Sequence, residues 1–449
     1  MTTLYSARWV LPVSSTPIAD GAIAIEGTNI IGVNSEAELS KRYPEAERKS
    51  FGEAAILPGF INAHSHLELT AMRGFLDAVE HDFFSWLRKL TIARLEHLTA
   101  DDLQVSATWG ACEALKAGVT CVADASDSAG ESMKALRDTG LRGTVYQESF
   151  GPDPKLAQEN FAKLIEKVAR LRSMQTPQVR VGVSPHAPYT VSAPQLEMIS
   201  AYALSEQLPL MMHAAESVAE KMLLAEGGGS FADGFASRGI EWSVPALSSI
   251  KYLARHGVLE TRPLLAHCLN VDADDLDNIA ETKTSIAHCP KSNAKLGHGQ
   301  APFAEFVRRK LAVGLGSDSV ASNNTCDMLE EARFALLLAR AGTRESDGLT
   351  ASDALYAATM GGAQAVGLAG QSGELREGYH ADFAIISLAG THQLPVYDPV
   401  NTLIFSSSGR DVVMTVVAGR ELYRYGSLPD VDEQRLSARM NEIGLKLGL

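Results

Sequence analysis

Eight short apolar runs alternate with helical segments through the middle of the chain. The runs are AILPGFINA, VTCVADA, RGTVYQES, VRVGVSP, LPLMMHA, RPLLAHC, TSIAHCP and AVGLGSDS. Helical periodicity follows most of them, for example over residues 101–116, 156–172 and 327–340. Strands that alternate with helices pair in parallel through right-handed crossovers. This alternation predicts an α/β protein with a (β/α)8 TIM barrel over residues 57–370, and the alternative is an open, doubly wound sheet.

The two ends of the chain consist of short strand-like runs separated by turn residues. Residues 1–56 contain LYSARWVL, GAIAIEGTNIIGV and AAIL. Residues 371–449 contain HADFAIISL, NTLIFSS, DVVMTVVAG and RELYRYG, followed by an amphipathic helix over 432–447. We therefore expect the N-terminal and C-terminal segments to pair into one small β-sandwich beside the barrel.

Charge and composition limit the class of partner and the compartment. With 40 basic and 54 acidic residues the net charge is −14, whereas binding to nucleic acid or a membrane surface requires a basic face. The N-terminus lacks a signal-peptide pattern, and no run approaches the roughly 18 apolar residues of a membrane span. The five cysteines form no CxxC pair, which is typical of reduced thiols. We expect a cytoplasmic protein that acts on a small molecule, and a homodimer is left open.

Several predicted strands end in a residue that can bind a metal or transfer a proton. These residues are His64, His66, His186, His213, Glu216, His267, His288 and Asp318. The carboxyl ends of barrel strands meet at one rim, and His64 and His66, two apart in a strand, share a face. A lone histidine is better explained by a hydrogen bond within the barrel. The convergence of His64, His66, His213 and Asp318 instead favours one divalent ion, zinc first and iron or manganese as alternatives.

Three further residues have expected roles in catalysis or substrate binding. Glu216 lies three residues after His213, so the two share a side if a turn or helix begins there, although a solvated glutamate at a helix start has the same pattern. A carboxylate beside a metal-activated water can move protons to the substrate. His267 is expected to hold the attacking oxygen or polarise the leaving group, and His186 to contact the substrate. No GxSxG motif is present, which excludes the common serine-hydrolase arrangement.

Taken together and in order, these motifs resemble those of the amidohydrolase superfamily. The matching segments are LPGFINAHSHLE, LMMHAAES, LLAHCLN, SIAHCPKSNAKLG and GLGSDSVASNN. The resemblance implies His64, His66, His213 and Asp318 as metal ligands, Glu216 as proton shuttle, and His267 as partner of the water, with Asp318 also moving protons. Binuclear members carry a lysine at an earlier strand end, where this chain has none, so the resemblance implies a single ion.

Within the superfamily the chain resembles the deaminases of adenine-type nucleosides. RGFLDAVEHDFFSWL and SPHAPYTVS are similar to segments of enzymes acting on S-adenosylhomocysteine, methylthioadenosine and aminodeoxyfutalosine. The third strand, YQES, lacks the arginine of the S-adenosylhomocysteine type, and this implies aminodeoxyfutalosine, an intermediate of menaquinone biosynthesis. Trp86 and Glu96 match the family's tryptophan and the glutamate that binds ribose hydroxyls. The alternatives are an S-adenosylhomocysteine, methylthioadenosine or adenosine deaminase, a hydrolase of guanine, cytosine, triazine or imidazolone rings, and a barrel that only binds.

Overall fold

The computed structural model describes residues 2–343 and 348–448, and its strands form three sheets. The strands are β1 Thr2–Val10, β2 Ile18–Glu26, β3 Asn29–Ser35, β4 Glu47–Ser50, β5 Ala54–Pro58, β6 Phe60–Ser65, β7 Val119–Ser126, β8 Arg142–Ser149, β9 Val179–Pro185, β10 Met211–Ala214, β11 Leu264–His267, β12 Ser285–His288, β13 Val313–Leu315, β14 Phe383–Ser387, β15 Val412–Val417 and β16 Arg420–Arg424.

Helices follow most of the central strands. They are α1 Glu36–Arg42, α2 Phe83–His97, α3 Ala100–Lys116, α4 Ala129–Thr139, α5 Ala157–Arg172, α6 Ala193–Ser205, α7 Val218–Glu226, α8 Ser230–Ser237, α9 Ser249–Arg255, α10 Ala273–Thr282, α11 Pro290–Lys295, α12 Phe303–Arg308, α13 Val320–Asn323, α14 Met328–Thr343, α15 Ala351–Tyr356, α16 Gly362–Ala365, α17 Pro399–Ser406 and α18 Glu433–Leu447. Over the described residues, none of these helices combines the length and apolarity that a membrane crossing requires.

The eight central strands pair in parallel and in chain order. β6 to β9 form one four-stranded sheet and β10 to β13 a second. Isolated parallel bridges, Val183 with Leu210 and Ser65 with Asp318, connect the neighbouring edges of the two sheets. This sequential order differs from the reversed order of a doubly wound sheet. β7 and β8 are buried along their whole length, as expected for parallel strands with both faces covered.

The first predicted run is divided between two sheets. Its beginning is β5, which pairs with β14, and its end is β6, which pairs with β7. The break falls at Gly59, where a Cβ atom would lie 2.0 Å from the Thr120 side chain. The close approach of the Gly59 backbone to the Thr120 side chain requires glycine at this position, and the apolar pattern alone does not reveal it.

Both chain ends contribute strands to the third, mixed sheet. Its order is β16-β15-β14-β5-β1-β2-β3, with β4 beside β1. One face packs a cluster that includes Tyr5, Ile56 and Phe383, and the other joins the main core. The pairing of the two ends agrees with the sequence-based expectation, while a division into two facing layers stays a prediction.

One C-terminal prediction is wrong. NTLIFSS was expected as a strand, but most of it lies in α17. The Asp398 side chain accepts a hydrogen bond from the Asn401 amide, and Pro399 occupies the first turn, so a strong helix start overrides the β-like composition that follows.

Candidate active site

Four side chains meet at the carboxyl ends of the parallel strands. His66 Nε2 lies 3.2 Å from His213 Nε2, His64 Nε2 lies 3.4 Å from Asp318 Oδ1, and His66 Nε2 lies 3.6 Å from the same oxygen. All four residues are buried. The structure therefore brings together the four predicted metal ligands from β6, β10 and the turn after β13.

The nitrogens of this cluster are oriented for a cation. His213 Nδ1 donates to the carbonyl oxygen of His186 at 2.8 Å, which leaves its Nε2 lone pair directed at the cluster. His64 Nε2 is buried and has no hydrogen-bond partner among the described residues. A buried ring nitrogen without a partner is costly, and a bound divalent ion would compensate for it. The donor set of three imidazoles and one carboxylate fits zinc.

Electrostatics support the same assignment. Burial and the nearby His64 lower the pKa of His66 to about 3, and burial also holds the pKa of His213 well below its ordinary value. Burial opposes ionisation of Asp318, yet its contact with His64 and the attraction of His267 keep its pKa well below the usual range. His66 and His213 are therefore neutral and the aspartate is charged, the forms that bind cations.

Asp318 is fixed by backbone and side-chain contacts. Its amide donates to the His64 carbonyl at 2.9 Å, and its backbone adopts a left-handed conformation with φ +57°. The hydroxyls of Ser292 and Ser322 both donate to Oδ2, which leaves Oδ1 facing the histidines. The turn after β13 thus holds the carboxylate in a single orientation.

His267 also borders the cluster. One ligand atom from each of His64, His213, His267 and Asp318 lies within 4.8 Å of the others. The Nε2 atom of His267, however, lies 3.6 Å from Glu216 Oε1, and its Nδ1 lies 2.9 Å from Asn293 Oδ1. Burial lowers the pKa of His267, but the charges of Glu216 and Asp318 outweigh burial and raise it overall. This histidine is therefore suited to donate a hydrogen bond, whereas His66 is suited to bind the ion.

Glu216 lies in the turn between β10 and α7. Ala215 has φ +53°, and the Glu220 carboxylate accepts hydrogen bonds from the amides of Ala215 and Glu216 at 2.8 and 2.9 Å. The Glu216 carboxylate accepts a hydrogen bond from Tyr189 Oη at 2.9 Å, and its other oxygen lies 3.6 Å from His298 Nε2. Since its Oε1 also lies 3.6 Å from His267 Nε2 and the residue lines the cavity, the carboxylate is within reach of a reacting group there.

A cavity of about 810 Å³ lies above the cluster. Its apolar walls include Phe83 and Trp86 from α2 and the stacked rings of Tyr189 and Phe231, whose centroids are 4.3 Å apart. This volume is within the usual range for small-molecule sites. The aromatic walls suit a flat heterocycle.

Other residues that line the cavity are polar, and several of them are charged. Glu68 accepts hydrogen bonds from Ser126 Oγ at 2.7 Å and from the Ser128 amide at 2.9 Å. The Arg94 guanidinium lies 3.3 Å from Glu68 and 2.9 Å from Asp127. These charges compensate one another within the protein.

The predicted substrate contacts are only partly brought to this cavity. His186 and Trp86 line it, and His186 Nδ1 contacts Thr190 Oγ1 at 2.8 Å. Glu96 is exposed on α2 and is not among the lining residues. The structure thus leaves Glu96 outside the lining residues, and its contact with the substrate stays a prediction.

Sequence reasoning missed three residues of the site. Tyr189 follows His186 by three residues in a segment already singled out, and a turn at that point was the available signal. His298 contacts the Phe83 ring at 4.6 Å between centroids, and Glu148 lies at the end of β8. For Glu148 the available signal was its place at the end of the third run, because strand ends meet at one rim. Nothing local in the sequence indicates that His298 contacts Glu216.

Comparison with known proteins gives a consistent result. The profile of the amidohydrolase family matches residues 55–422. A 5-methylthioadenosine/S-adenosylhomocysteine deaminase from Nitratidesulfovibrio vulgaris is 30% identical over 431 residues, covering 95% of this chain and 93% of that protein.

Solved structures extend the similarity to the fold. An adenosine deaminase from Xanthomonas campestris with bound zinc has a TM-score of 0.88 and 26% identity, covering 99% of this chain and 98% of that one. The aminofutalosine deaminase of Helicobacter pylori, in complex with methylthio-coformycin, has a TM-score of 0.78 and 20% identity, covering 93% and 99%. At that identity the second similarity concerns the fold alone.

Proposed function

This chain belongs to the amidohydrolase family, and from that premise we propose that it removes the exocyclic amino group from an adenine-type ring in a nucleoside. It is a hydrolytic enzyme acting on carbon–nitrogen bonds. One observation carries the proposal, namely the buried cluster of His64, His66, His213 and Asp318 with Glu216 beside it under an aromatic cavity.

We propose that the cluster binds one divalent ion, zinc in the first instance. The support is the neutral state of His66 and His213, the ionised Asp318, and the zinc bound by the Xanthomonas deaminase. His64 Nε2 adds to it, because this nitrogen has no hydrogen-bond partner among the described residues. Iron and manganese accept the same donors. When bound, such an ion acts as a Lewis acid that lowers the pKa of water into the neutral range.

The protein's own groups would then handle the protons. Glu216 takes a proton from the attacking water and delivers it to a ring nitrogen, and a second transfer carries a proton to the departing ammonia. Tyr189 orients this carboxylate through its hydrogen bond. His267, itself held by Asn293, donates toward the attacking oxygen, and Asp318 assists in proton movement. Water and the amine are thereby converted to a ring carbonyl and ammonia.

For the substrate we propose an adenine nucleoside of the methylthioadenosine or S-adenosylhomocysteine type. The name of the Nitratidesulfovibrio relative, which matches nearly the whole chain, supports this choice over aminodeoxyfutalosine, the substrate expected from sequence. The resemblance to the aminofutalosine deaminase lends no comparable support, because it is limited to the fold. The expectation of a role in menaquinone biosynthesis is accordingly not carried forward.

We also propose that residues 57–370 form a closed barrel, with residues 1–56 and 371–449 as the accompanying β unit. The two bridges between the four-stranded sheets support closure, because they link all eight parallel strands in a ring. The mixed sheet formed by both chain ends supports the second part.

A deamination screen tests the substrate. The purified enzyme, with its metal content measured, is offered methylthioadenosine, S-adenosylhomocysteine, adenosine, aminodeoxyfutalosine, guanine, cytosine and a triazine, and ammonia release is recorded. We expect the thioether nucleosides to have the highest kcat/KM. Ammonia from guanine, cytosine or the triazine alone would contradict the adenine assignment, and a protein without stoichiometric metal or turnover would favour a binding role.

Replacement of Glu216, the proposed proton shuttle, tests the mechanism. Glu216→Gln keeps the shape of the side chain but cannot accept and release a proton, so we expect kcat to fall about 10²- to 10⁴-fold with metal content unchanged. Steady-state kinetics and metal analysis give the two readouts. Glu281→Gln, at an exposed position on α10, is the matched control and should leave both unaltered. A Glu216→Gln enzyme with the original kcat would remove Glu216 from the mechanism.

A further inference from the structure

A second polar cavity lies at the opposite end of the parallel strands from the metal-binding cluster. It has a volume of about 130 Å³, and the amino ends of β7, β8 and β9 border it together with the segment that leads from α16 to β14. Its polar side chains include those of Arg142, Thr144, Arg180, Gln371 and His380. Among the described residues no aspartate or glutamate lines it. Two guanidinium groups around a cavity without a carboxylate favour a negatively charged ligand.

Arg142 is buried, yet one of its nitrogens has no partner. Its side chain is 8% exposed, and Nε and Nη2 donate to Asp382 at 2.7 and 3.3 Å. Nη1 forms no hydrogen bond within the described part of the chain. Asp382 is already shared, because it also accepts a hydrogen bond from the Ala418 amide at 2.6 Å. A buried guanidinium that lines the cavity therefore retains a donor for a ligand.

Arg180 and His380 likewise lack compensating contacts. Arg180 forms no hydrogen bond or ion pair with any described residue, whereas Arg172, at the end of the preceding helix, pairs with Glu206. His380 Nδ1 is buried without a hydrogen-bond partner among the described residues, and Asp382 Oδ2 lies 4.0 Å from it. Burial lowers the pKa of His380, and the charges of Arg142 and Arg180 lower it further despite Asp382. The potential at this ring is therefore positive.

We propose that this cavity binds a phosphate-type oxyanion, either free or as the terminal group of a small phosphorylated molecule. Its volume is below the usual range for a whole small-molecule ligand but is sufficient for one tetrahedral group. Arg142 and Arg180 supply charge-assisted donors, and the ring of His380 supplies a further polar atom. A neighbouring cavity of about 470 Å³ shares Arg180 and Thr144 with the first and would hold the remainder of a phosphorylated molecule.

An anion at this position would join the parallel strands to the terminal sheet. Arg142 and Arg180 belong to β8 and β9, whereas His380 lies in the segment before β14. A ligand that binds only the folded protein stabilises it. Because the cavity is at the far end of the strands from Glu216, we expect binding to raise the melting temperature and to leave kcat/KM unchanged. The anion site is independent of the reaction proposed above.

Calorimetric titration of the metal-loaded enzyme with inorganic phosphate tests the site, and chloride at matched ionic strength controls for general salt effects. We expect Arg180→Gln to raise the dissociation constant about 10- to 100-fold, because a hydrogen bond between charged groups is lost. Arg180→Lys, which keeps the charge, should retain part of the affinity. The control Arg137→Gln, at an exposed position on α4 outside the cavity, should bind phosphate as the unsubstituted enzyme does.

Ribose 5-phosphate distinguishes the two sources of the anion. Binding tighter than that of phosphate, and weakened in Arg180→Gln, would place the sugar in the neighbouring cavity, whereas equal or weaker binding would assign the site to free phosphate. A titration without phosphate binding, or equal binding by the unsubstituted and Arg180→Gln enzymes, would overturn the proposal. Competitive inhibition of the nucleoside reaction by phosphate to the same extent in both enzymes would instead place the anion at the metal.

Discussion

Two buried histidines, His66 and His267, lie only a few ångströms from the same aspartate, and their pKa values are shifted in opposite directions. Burial and the neighbouring His64 lower the pKa of His66, whereas Glu216 and Asp318 raise the pKa of His267 despite its burial. The difference lies in which carboxylate each ring faces. At the scale of single residues, the role of a histidine here is therefore set by its nearest charge and not by its place at a strand end.

His288 allows the effect of the surroundings on a histidine pKa to be measured at a residue that is not one of the proposed metal ligands. It is buried against the Phe303 ring at 5.3 Å, and burial lowers its pKa from 6.5 to about 3. Below pH 6.5 His288 binds a proton in the unfolded chain but not in the native protein. The free energy of unfolding therefore decreases as the pH falls. Between pH 7 and pH 5 this corresponds to about 2 kcal/mol.

We expect His288→Leu to remove that loss. Urea unfolding at pH 7 and pH 5 should show a fall in the free energy of unfolding that is about 2 kcal/mol smaller in the variant than in the unsubstituted protein. His392, half exposed at its side chain, supplies the control variant His392→Leu, which should not reduce the fall to that extent. Equal falls in the His288 variant and the unsubstituted protein would show that His288 titrates normally in the native state.

At the scale of elements, the turn from β10 into α7 positions the catalytic carboxylate. Ser217 begins the helix by accepting the Glu220 amide, and Glu220 reaches back to the amides of Ala215 and Glu216. Burial raises the pKa of Glu220 to about 7. The helix start thus stabilises a strained backbone at Ala215 and fixes Glu216 in the cavity.

Glu220→Gln should therefore impair catalysis without touching the metal. The amide can accept only through its single oxygen, so one of the two backbone N–H groups loses its acceptor and the turn shifts. We expect kcat to fall about 10-fold or more with metal content retained, because small displacements of a catalytic group are costly. Glu226→Gln, exposed at the other end of α7, is the control. An unchanged kcat would mean that the turn holds its shape without this carboxylate.

At the scale of the whole molecule, the terminal sheet and the parallel strands are joined by buried polar contacts. Arg142 at the start of β8 donates to Asp382 at 2.7 Å, and Asp382 also accepts the Ala418 amide at 2.6 Å. Thr415 Oγ1 donates to the Leu115 carbonyl at 2.7 Å. Because Arg142 and Asp382 are both buried, the loss of either would leave an uncompensated charge.

We expect Arg142→Ala to destabilise the protein by about 3–5 kcal/mol, measured by urea unfolding, since Asp382 remains buried and unpaired. Arg172→Ala removes a comparable contact to Glu206, but both side chains are more than a third exposed, so its loss should be below about 1 kcal/mol. Similar values for the two variants would show that the contact between the terminal sheet and β8 does not depend on this ion pair.

Local pattern by itself determined the eight parallel strands, the helices between them, and the residues His64, His66, His213 and Asp318 as a set. These predictions depend on periodicity and on the rule that parallel strands end at one rim, so they need no knowledge of long-range contacts. Glu216 and His267 were found in the same way. The prediction for NTLIFSS was wrong because a capped helix start outweighed its composition.

Only the tertiary structure decided which polar groups form hydrogen bonds with one another. It divided the first run at Gly59, because the backbone approaches Thr120 there. It also turned Glu96 to solvent and left Glu148 Oε1 buried without a hydrogen-bond partner among the described residues. It also brought Tyr189 within hydrogen-bond distance of Glu216, and it shifted the pKa values of His66 and His267 in opposite directions. Hydrogen-bond satisfaction and pKa depend on atoms that are distant in the chain and near in space, so no local pattern specifies them.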